Sequence, residues 1–242
     1  SSKDSSPRLI FGIKAPESFE ALELTVHYNL SFKQGYSTGL FLDMRDNRQR
    51  LLTNLIEPGF SIFDRSLGVP SVLNTFSYTC SLSLCAAKIG ATTTSIDLSK
   101  KYLDWGKDNF KINNLNPNDH DFIYGDTFDW MKRLKKKGIL YDLVIIDPPT
   151  FSRSKTSGLF QAKKHYEMLA NAASKLVINN GILLACCNTS TFSLSNFKSN
   201  VRHGVLKGGR KIIQSVHSTQ PLDFPTTPEE PAYLKTYWLR LN

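Results

Sequence analysis

Cysteine is scarce in this chain, with four in 242 residues, and the four are badly arranged for cross-linking. Cys186 and Cys187 are adjacent on a stretch that reads as a buried strand. No CxxC pair joins Cys80 or Cys85. A disulfide framework and a structural zinc site are therefore not expected, and a reducing compartment is favoured. Long apolar runs are also missing. The longest, Leu143–Ile146 and Gly181–Cys187, have strand length, far from the roughly 20 residues of a membrane helix. The start, Ser1 to Pro7, is polar and has no signal-peptide core. A cytoplasmic protein is expected, or one of an organelle matrix or stroma after removal of a transit peptide. There is no internal repeat, no low-complexity tract and no GxGxxG fingerprint. Acidic residues are few: 21 against 30 Lys and Arg, a formal charge of +9. That excess suits an anionic partner, commonly nucleic acid. Lys132-Arg133-Leu134-Lys135-Lys136-Lys137 can equally be a solvated helix end, where cations suit the dipole.

A hydrophobic fraction of 40 % lies in the globular range, which excludes disorder and leaves room for one large core. Leu22–Phe32 alternates with period two. Gly35 and a second β-rich stretch, Thr38–Asp43, follow, so a hairpin turning at the glycine is expected. Arg45–Leu55 reads as a helix broken by Glu57-Pro58-Gly59. From Pro70 strands and helices alternate. The strands are expected at Ser71–Phe76, Thr92–Asp97, Asp121–Tyr124, Tyr141–Asp147, Gly181–Cys187, Lys211–Val216 and Tyr233–Leu241. The helices are expected at Thr79–Ile89, Ser99–Asn113, Thr127–Lys137, Gln161–Val177 and Thr191–Gly204, with Ser99 as an N-cap and Gly138 as a stop. Alternation of this kind predicts a parallel sheet covered on both faces. The last two strands have only a Pro-rich link between them and are expected to pair antiparallel. The division expected is an extension over 1–68 and an α/β domain over 69–242.

In such sheets the ligand lies beyond the carboxyl ends of the strands. The first strand runs into Asn74-Thr75-Phe76-Ser77-Tyr78-Thr79-Cys80-Ser81, a ligand cradle or an ordinary strand–helix turn. The second ends in Asp97-Leu98, an acid placed for ribose hydroxyls or for a helix N-terminus. The third ends in Gly125-Asp126, which can accept from an adenine amine or cap the next helix. In register at successive strand ends, these acids favour an adenosine site. The fourth delivers Asp147-Pro148-Pro149-Thr150-Phe151. Two prolines remove two backbone donors and stiffen the loop that carries the carboxylate, and Phe151 is available to stack on a planar base. The fifth ends in Cys186-Cys187-Asn188-Thr189. A cysteine there can attack C6 of a cytosine, or both can be small buried hydrophobes. His165 and His217 have no partners at catalytic or metal spacing and read as structural; no metal site is expected.

TGLFLDMRDNR (Thr38 to Arg48), NTFSYT (Asn74 to Thr79), TTTSIDLSKKYLDWGKDNFKINNL (Thr92 to Leu115) and DPPTFSRSK (Asp147 to Lys155) together resemble the S-adenosylmethionine-dependent methyltransferases of bacterial large-subunit ribosomal RNA. The guanine-N7 half of the bifunctional enzyme is most similar, and a cytosine-C5 branch is related. The resemblance runs from about Leu22 to the C-terminus. It implies an α/β fold with the Rossmann-like seven-stranded sheet of class I methyltransferases and an N-terminal β-hairpin extension. It further implies that Phe76, Ser77 and Thr79 line the methionine end of the donor, Asp97 holds the ribose, Leu98 packs on the adenine and Asp126 meets its amine. Asp43 and Arg45 would close over the donor, with Arg45 on its carboxylate. Asp147 and the loop of Pro148 and Pro149 would face both the donor methyl and the target base, with Phe151 and Asn188 also at the base.

Three positions depart from that pattern. Cys80 replaces the glycine usual after FSYT. The nucleophile position of the cytosine branch falls on Asn188, one residue from Cys187, and on a strand that offset reverses the side chain. The RNA-targeting domains that usually lie upstream are not seen, so a separate domain or chain can supply them. Guanine N7 is thus the favoured acceptor and RNA the expected partner. Cytosine C5 and a small-molecule or protein substrate are the alternatives, and a non-catalytic RNA-binding module with a decayed donor site is the remaining one.

Overall fold

Buried strands in this chain are written as runs of Val, Ile, Leu and Thr, and the runs stand where both faces of one sheet are covered. A computed structural model describes residues 9–33, 37–154 and 158–242. The chain opens with a hairpin, β1 (Phe19–Glu23) and β2 (Val26–Leu30), followed by helix α1 (Arg45–Thr53) and a second small hairpin, β3 (Leu55–Glu57) and β4 (Phe60–Ser61). The sheet then begins with β5 (Ser71–Thr75), α2 (Ser81–Lys88), β6 (Thr92–Asp97), α3 (Lys100–Ile112), β7 (Asp121–Tyr124), α4 (Thr127–Lys136) and β8 (Tyr141–Ile146). A third hairpin, β9 (Phe151–Ser154) and β10 (Gly158–Gln161), precedes α5 (Ala162–Ser174). The chain continues through β11 (Val177–Cys187), α6 (Leu194–Lys207), β12 (Ile212–Ser218) and β13 (Lys235–Leu241).

Seven strands form the sheet in the order β12-β13-β11-β8-β5-β6-β7. β8 pairs in parallel with both β11 and β5, and β5–β6 and β6–β7 are also parallel. β13 lies antiparallel between β11 and β12, so it alone is reversed. Alternate residues of each central strand feed opposite layers. Leu143, Ile145, Ile182, Leu184 and Cys186 pack towards α2, α3 and the N-terminal hairpin. Val144, Ile146, Leu183, Ala185 and Cys187 pack towards α5 and α6. The first layer also holds Val26, Tyr28, Leu51 and Ile62, so the extension and the sheet share one core. Trp238 is fully buried there and donates its indole N–H to Asn47 Oδ1 at 3.1 Å.

Two expectations about the extension are corrected. The first hairpin turns at Leu24-Thr25, with Glu23 opposite Val26; the turn expected at Gly35 lies outside the described residues. Leu24 adopts φ +56°, a conformation no turn residue in the sequence announces. Thr38–Asp43 is not a strand but a loop running into a 3-10 turn at Leu42–Met44. Thr38 O accepts from Ser31 N at 2.9 Å, and the next carbonyls find side chains: Thr79 Oγ1 donates to Gly39 O at 2.7 Å and Arg48 Nη1 to Phe41 O at 2.8 Å. Gly39 is required here, because a Cβ would stand 2.4 Å from the Trp105 ring at a φ of +110°. The β3–β4 and β9–β10 hairpins, not expected from the sequence, fold out of the segments around Pro58-Gly59 and after Pro149. The helix expected over Gln161–Val177 ends earlier, at Ser174; the buried Leu176 and Val177 follow it, and Val177 opens β11.

Candidate active site

The carboxyl ends of β5, β6, β8 and β11 open onto one cavity of about 390 Å3, within the size range of small-molecule sites. Its walls include Phe41, Asp43, Asn74, Phe76, Ser77, Asp97, Leu98, Asp147, Pro148 and Asn188.

The loop between β5 and α2 is built from left-handed residues. Phe76, Tyr78 and Cys80 have φ of +56°, +49° and +62°, a costly conformation for side chains of this kind. Cross-links hold it. Ser77 N donates to Ile96 O at 3.0 Å, and Cys80 N to Ser77 O at 2.8 Å. Asp97 accepts from the backbone of Tyr78 and of Ser99, each at 2.8 Å, so one carboxylate joins the cradle to the start of α3. Burial pushes its carboxyl upwards, against the amides that favour the ionised form. The loop leads into the N-terminus of α2, where backbone amides suit a carboxylate or another anionic group. Cys80 is fully buried and fills the space above Gly106: a Cβ on that glycine would lie 2.6 Å from its sulfur.

Across the cavity stand two carboxylates, Asp43 and Asp147. Burial first, and then the charge of Asp43, push Asp147 up to about 7. Burial first, and then the Asp43 carboxylate, move the Tyr233 phenol up to about 12. The prolines after Asp147 both line the cavity. Thr150 bridges from this loop to the end of β11, its hydroxyl 3.0 Å from that of Thr189. Lys235, 2 % exposed, donates its ammonium to Thr189 O at 2.9 Å and Tyr233 O at 2.7 Å. It thereby ties the loop carrying Asn188 to the segment carrying Leu234, and both residues face the cavity. Below them the fully buried Tyr166 donates to Cys186 O at 2.6 Å and lies 3.3 Å from Ile146 O, bracing the ends of β11 and β8.

Of the expected site residues, Asp43, Phe76, Ser77, Asp97, Leu98, Asp147, Pro148 and Asn188 are gathered around the cavity. Four stand elsewhere. Arg45 forms a two-pronged ion pair with Asp223 at 2.9 and 2.8 Å, on the exposed surface outside the cavity wall. Thr79 is buried and spends its hydroxyl on Gly39. Asp126 caps α4, one oxygen accepting from Phe128 N at 2.9 Å and Asp129 N at 3.1 Å. Phe151 is 63 % exposed, on the outer side of the β9–β10 hairpin. Cys186 and Cys187 are fully buried in opposite core layers, and burial pushes the Cys186 thiol well above its ordinary range. The sequence did not single out Tyr102, Ser152 and Leu234, which also line the cavity. Tyr102 meets Tyr78 edge to face at 4.5 Å. Its signal was masked by its place on an amphipathic helix.

The sequence profile of the S-adenosylmethionine-dependent methyltransferases matches residues 3–201. The ribosomal RNA large subunit methyltransferase K/L of Psychrobacter cryohalolentis is 37 % identical over 185 residues, covering 75 % of this chain and 22 % of the relative. YwbD of Bacillus subtilis, a candidate ribosomal RNA large subunit methyltransferase, is 32 % identical over 89 % of this chain and 52 % of its own length. A candidate methyltransferase crystallised in complex with SAH superposes with a TM-score of 0.83 at 32 % identity, covering 96 % of this chain and 58 % of that one. The chain thus spans between about a fifth and a half of the curated relatives it matches.

Proposed function

Because the chain belongs to the S-adenosylmethionine-dependent methyltransferase family, we propose that it methylates a base of large-subunit ribosomal RNA, with guanine N7 as the acceptor. The donor fits the cavity on this chain's own features: a left-handed cradle leading to a helix N-terminus and an acid at the end of β6. Phe76 and Ser77 would hold its methionine end, Asp97 its ribose and Leu98 its adenine. When bound, S-adenosylmethionine supplies an electrophilic methyl group on a sulfonium sulfur.

One observation carries the choice of acceptor. The residue at the end of β11 that faces the cavity is Asn188, and the adjacent thiols are sealed in the core. Attack on cytosine C6 needs an exposed thiolate, whereas burial favours the neutral thiol. Guanine N7 carries its own lone pair and needs no nucleophile and no proton removal. What remains for the protein is alignment, which is catalysis by proximity and orientation. Asp147 accepts from the exocyclic amine of the base, Pro148 and Pro149 fix that carboxylate, and Asn188 offers both a donor and an acceptor to the base edge. A base inside an RNA helix must first be turned out to reach them.

The test is nucleoside mass spectrometry of unmodified large-subunit ribosomal RNA after incubation with the protein and labelled donor. Label in 7-methylguanosine is expected. Label in 5-methylcytidine overturns the acceptor assignment, and label in protein or small molecules alone overturns RNA as the substrate.

A further inference from the structure

The β9–β10 hairpin stands apart from the main sheet, and its two faces differ in chemistry. Side chains alternate across the ladder in which Ser152 pairs with Phe160 and Arg153 with Leu159. On the inner face Ser152 lines the cavity and Phe160, 4 % exposed, packs against Phe76 and Phe128 at ring distances of 6.1 and 5.8 Å. The outer face carries Phe151, Arg153 and Leu159, with Phe151 and Leu159 63 % and 53 % exposed. The chain then runs straight into α5, whose first turn presents exposed Lys163 and Lys164 and no acid. An isolated two-stranded hairpin is marginal in water, and an aromatic and an aliphatic side chain left on its open face do not help its solubility. Three cations beside them make the patch complementary to a polyanion that also has flat apolar faces. That combination belongs to single-stranded nucleic acid, where bases stack on aromatics and the backbone follows the charges.

We infer that the outer face of the hairpin binds the single-stranded RNA next to the target nucleotide, a neighbouring base stacking on Phe151 while Arg153, Lys163 and Lys164 meet its phosphates. This rests on the reading of RNA as substrate, and it gives Phe151 a different task from contacting the target base. Ser152 faces the cavity and Phe151 the other way, so one hairpin separates the methylated nucleotide from its neighbour.

The test uses the full chain, a fluorescein-labelled 15-nucleotide single-stranded RNA of mixed sequence, and binding followed by anisotropy across a salt series. Phe151→Ala is expected to weaken binding roughly tenfold, the scale of one lost base–aromatic stack. Arg153→Gln is expected to flatten the slope of log affinity against log salt by about 0.7, the value for one single-strand phosphate. Affinity for S-adenosylhomocysteine, measured by calorimetry, reports that each variant is folded. Binding by Phe151→Ala within twofold of wild type, with the salt slope of Arg153→Gln unchanged, overturns the inference and leaves the RNA substrate standing. A wild-type chain that neither binds the 15-mer nor labels ribosomal RNA overturns the substrate reading and the inference with it. A wild-type chain that labels ribosomal RNA and whose two variants lose nothing on the 15-mer overturns the inference alone.

Discussion

The guanidinium of Arg48 grips both carboxylate oxygens of Glu23, Nε at 2.6 Å and Nη2 at 2.7 Å, while its remaining arm holds the carbonyl of Phe41. Arg48 is fully buried, and the pair keeps it charged against the desolvation that burial imposes. The first hairpin is thereby fastened to α1 and to the loop that brings Phe41 and Asp43 to the cavity. Glu23→Ala leaves a buried cation uncompensated, and the expected cost is about 3–5 kcal/mol. A fall in Tm of roughly 10 °C follows at about 2–4 °C per kcal/mol for a chain of this size. Calorimetric scanning of the variant checks it. Donor affinity falls as well, since the Phe41 loop loses its anchor.

Asp147 imposes a pH dependence of known sign. Its folded value of about 7 lies above the ordinary 3.8. Between the two the folded protein holds a proton that the unfolded chain releases, so this carboxyl's contribution to stability declines as pH rises across the window and is flat above it. Asp147→Asn removes the dependence. The donor-free variant is expected to melt several degrees above wild type at pH 8, with the gap closing towards pH 4. Its transfer activity is expected to drop at least tenfold. In wild type kcat/KM rises with pH through about 7, the range in which the carboxylate forms.

Cys187→Ser and Cys186→Ser are expected to retain methyl transfer within a few-fold, and RNA bearing 5-fluorocytosine is expected to form no covalent complex with the wild-type chain. Loss of transfer in Cys187→Ser with donor binding intact would falsify the assignment of a lone-pair acceptor.

Gly106 and Cys80 form a testable couple. Gly106→Ala drives its new methyl into the sulfur of Cys80, an overpacking expected to cost about 1–3 kcal/mol. Cys80→Gly opens that space and also suits the left-handed backbone at position 80. The double variant is therefore expected to recover most of the loss, and urea denaturation of all four members of the cycle measures the coupling. Additive effects would show that the close approach has been relieved elsewhere.

How far the sequence could be read depended on the range of the interactions concerned. β6 and β7 have the bounds expected from their residues, because an Asp ending a strand or a Gly just beyond it is a local signal. Ser99 caps α3 as expected for the same reason. The acids at the ends of β6 and β8 were legible because the α/β layout sends every strand end to one side. Arg45 and Thr79 were not, since their partners, Asp223 and the Gly39 carbonyl, lie 178 and 40 residues away. Nothing in Arg45 itself says that an acid from the Pro-rich link will reach it first. The β9–β10 hairpin escaped notice because Phe151–Gln161 has no clean period-two pattern. Its inner face is buried at Phe160, whereas Ser152 is there to line a cavity.

The reversed strand bears on how the molecule is made. Until Lys235–Leu241 has left the ribosome, β11 has only β8 beside it and its other edge is open. That edge belongs to the stretch from Gly181 to Cys187, the most apolar of the chain, and open apolar edges invite pairing with other chains. The same late segment brings Leu234 to the cavity wall and Tyr233 to Asp43. Competence to hold the donor is therefore expected only once this segment has emerged, and a nascent chain stalled in the Pro-rich link is expected to be both inactive and exposed to aggregation.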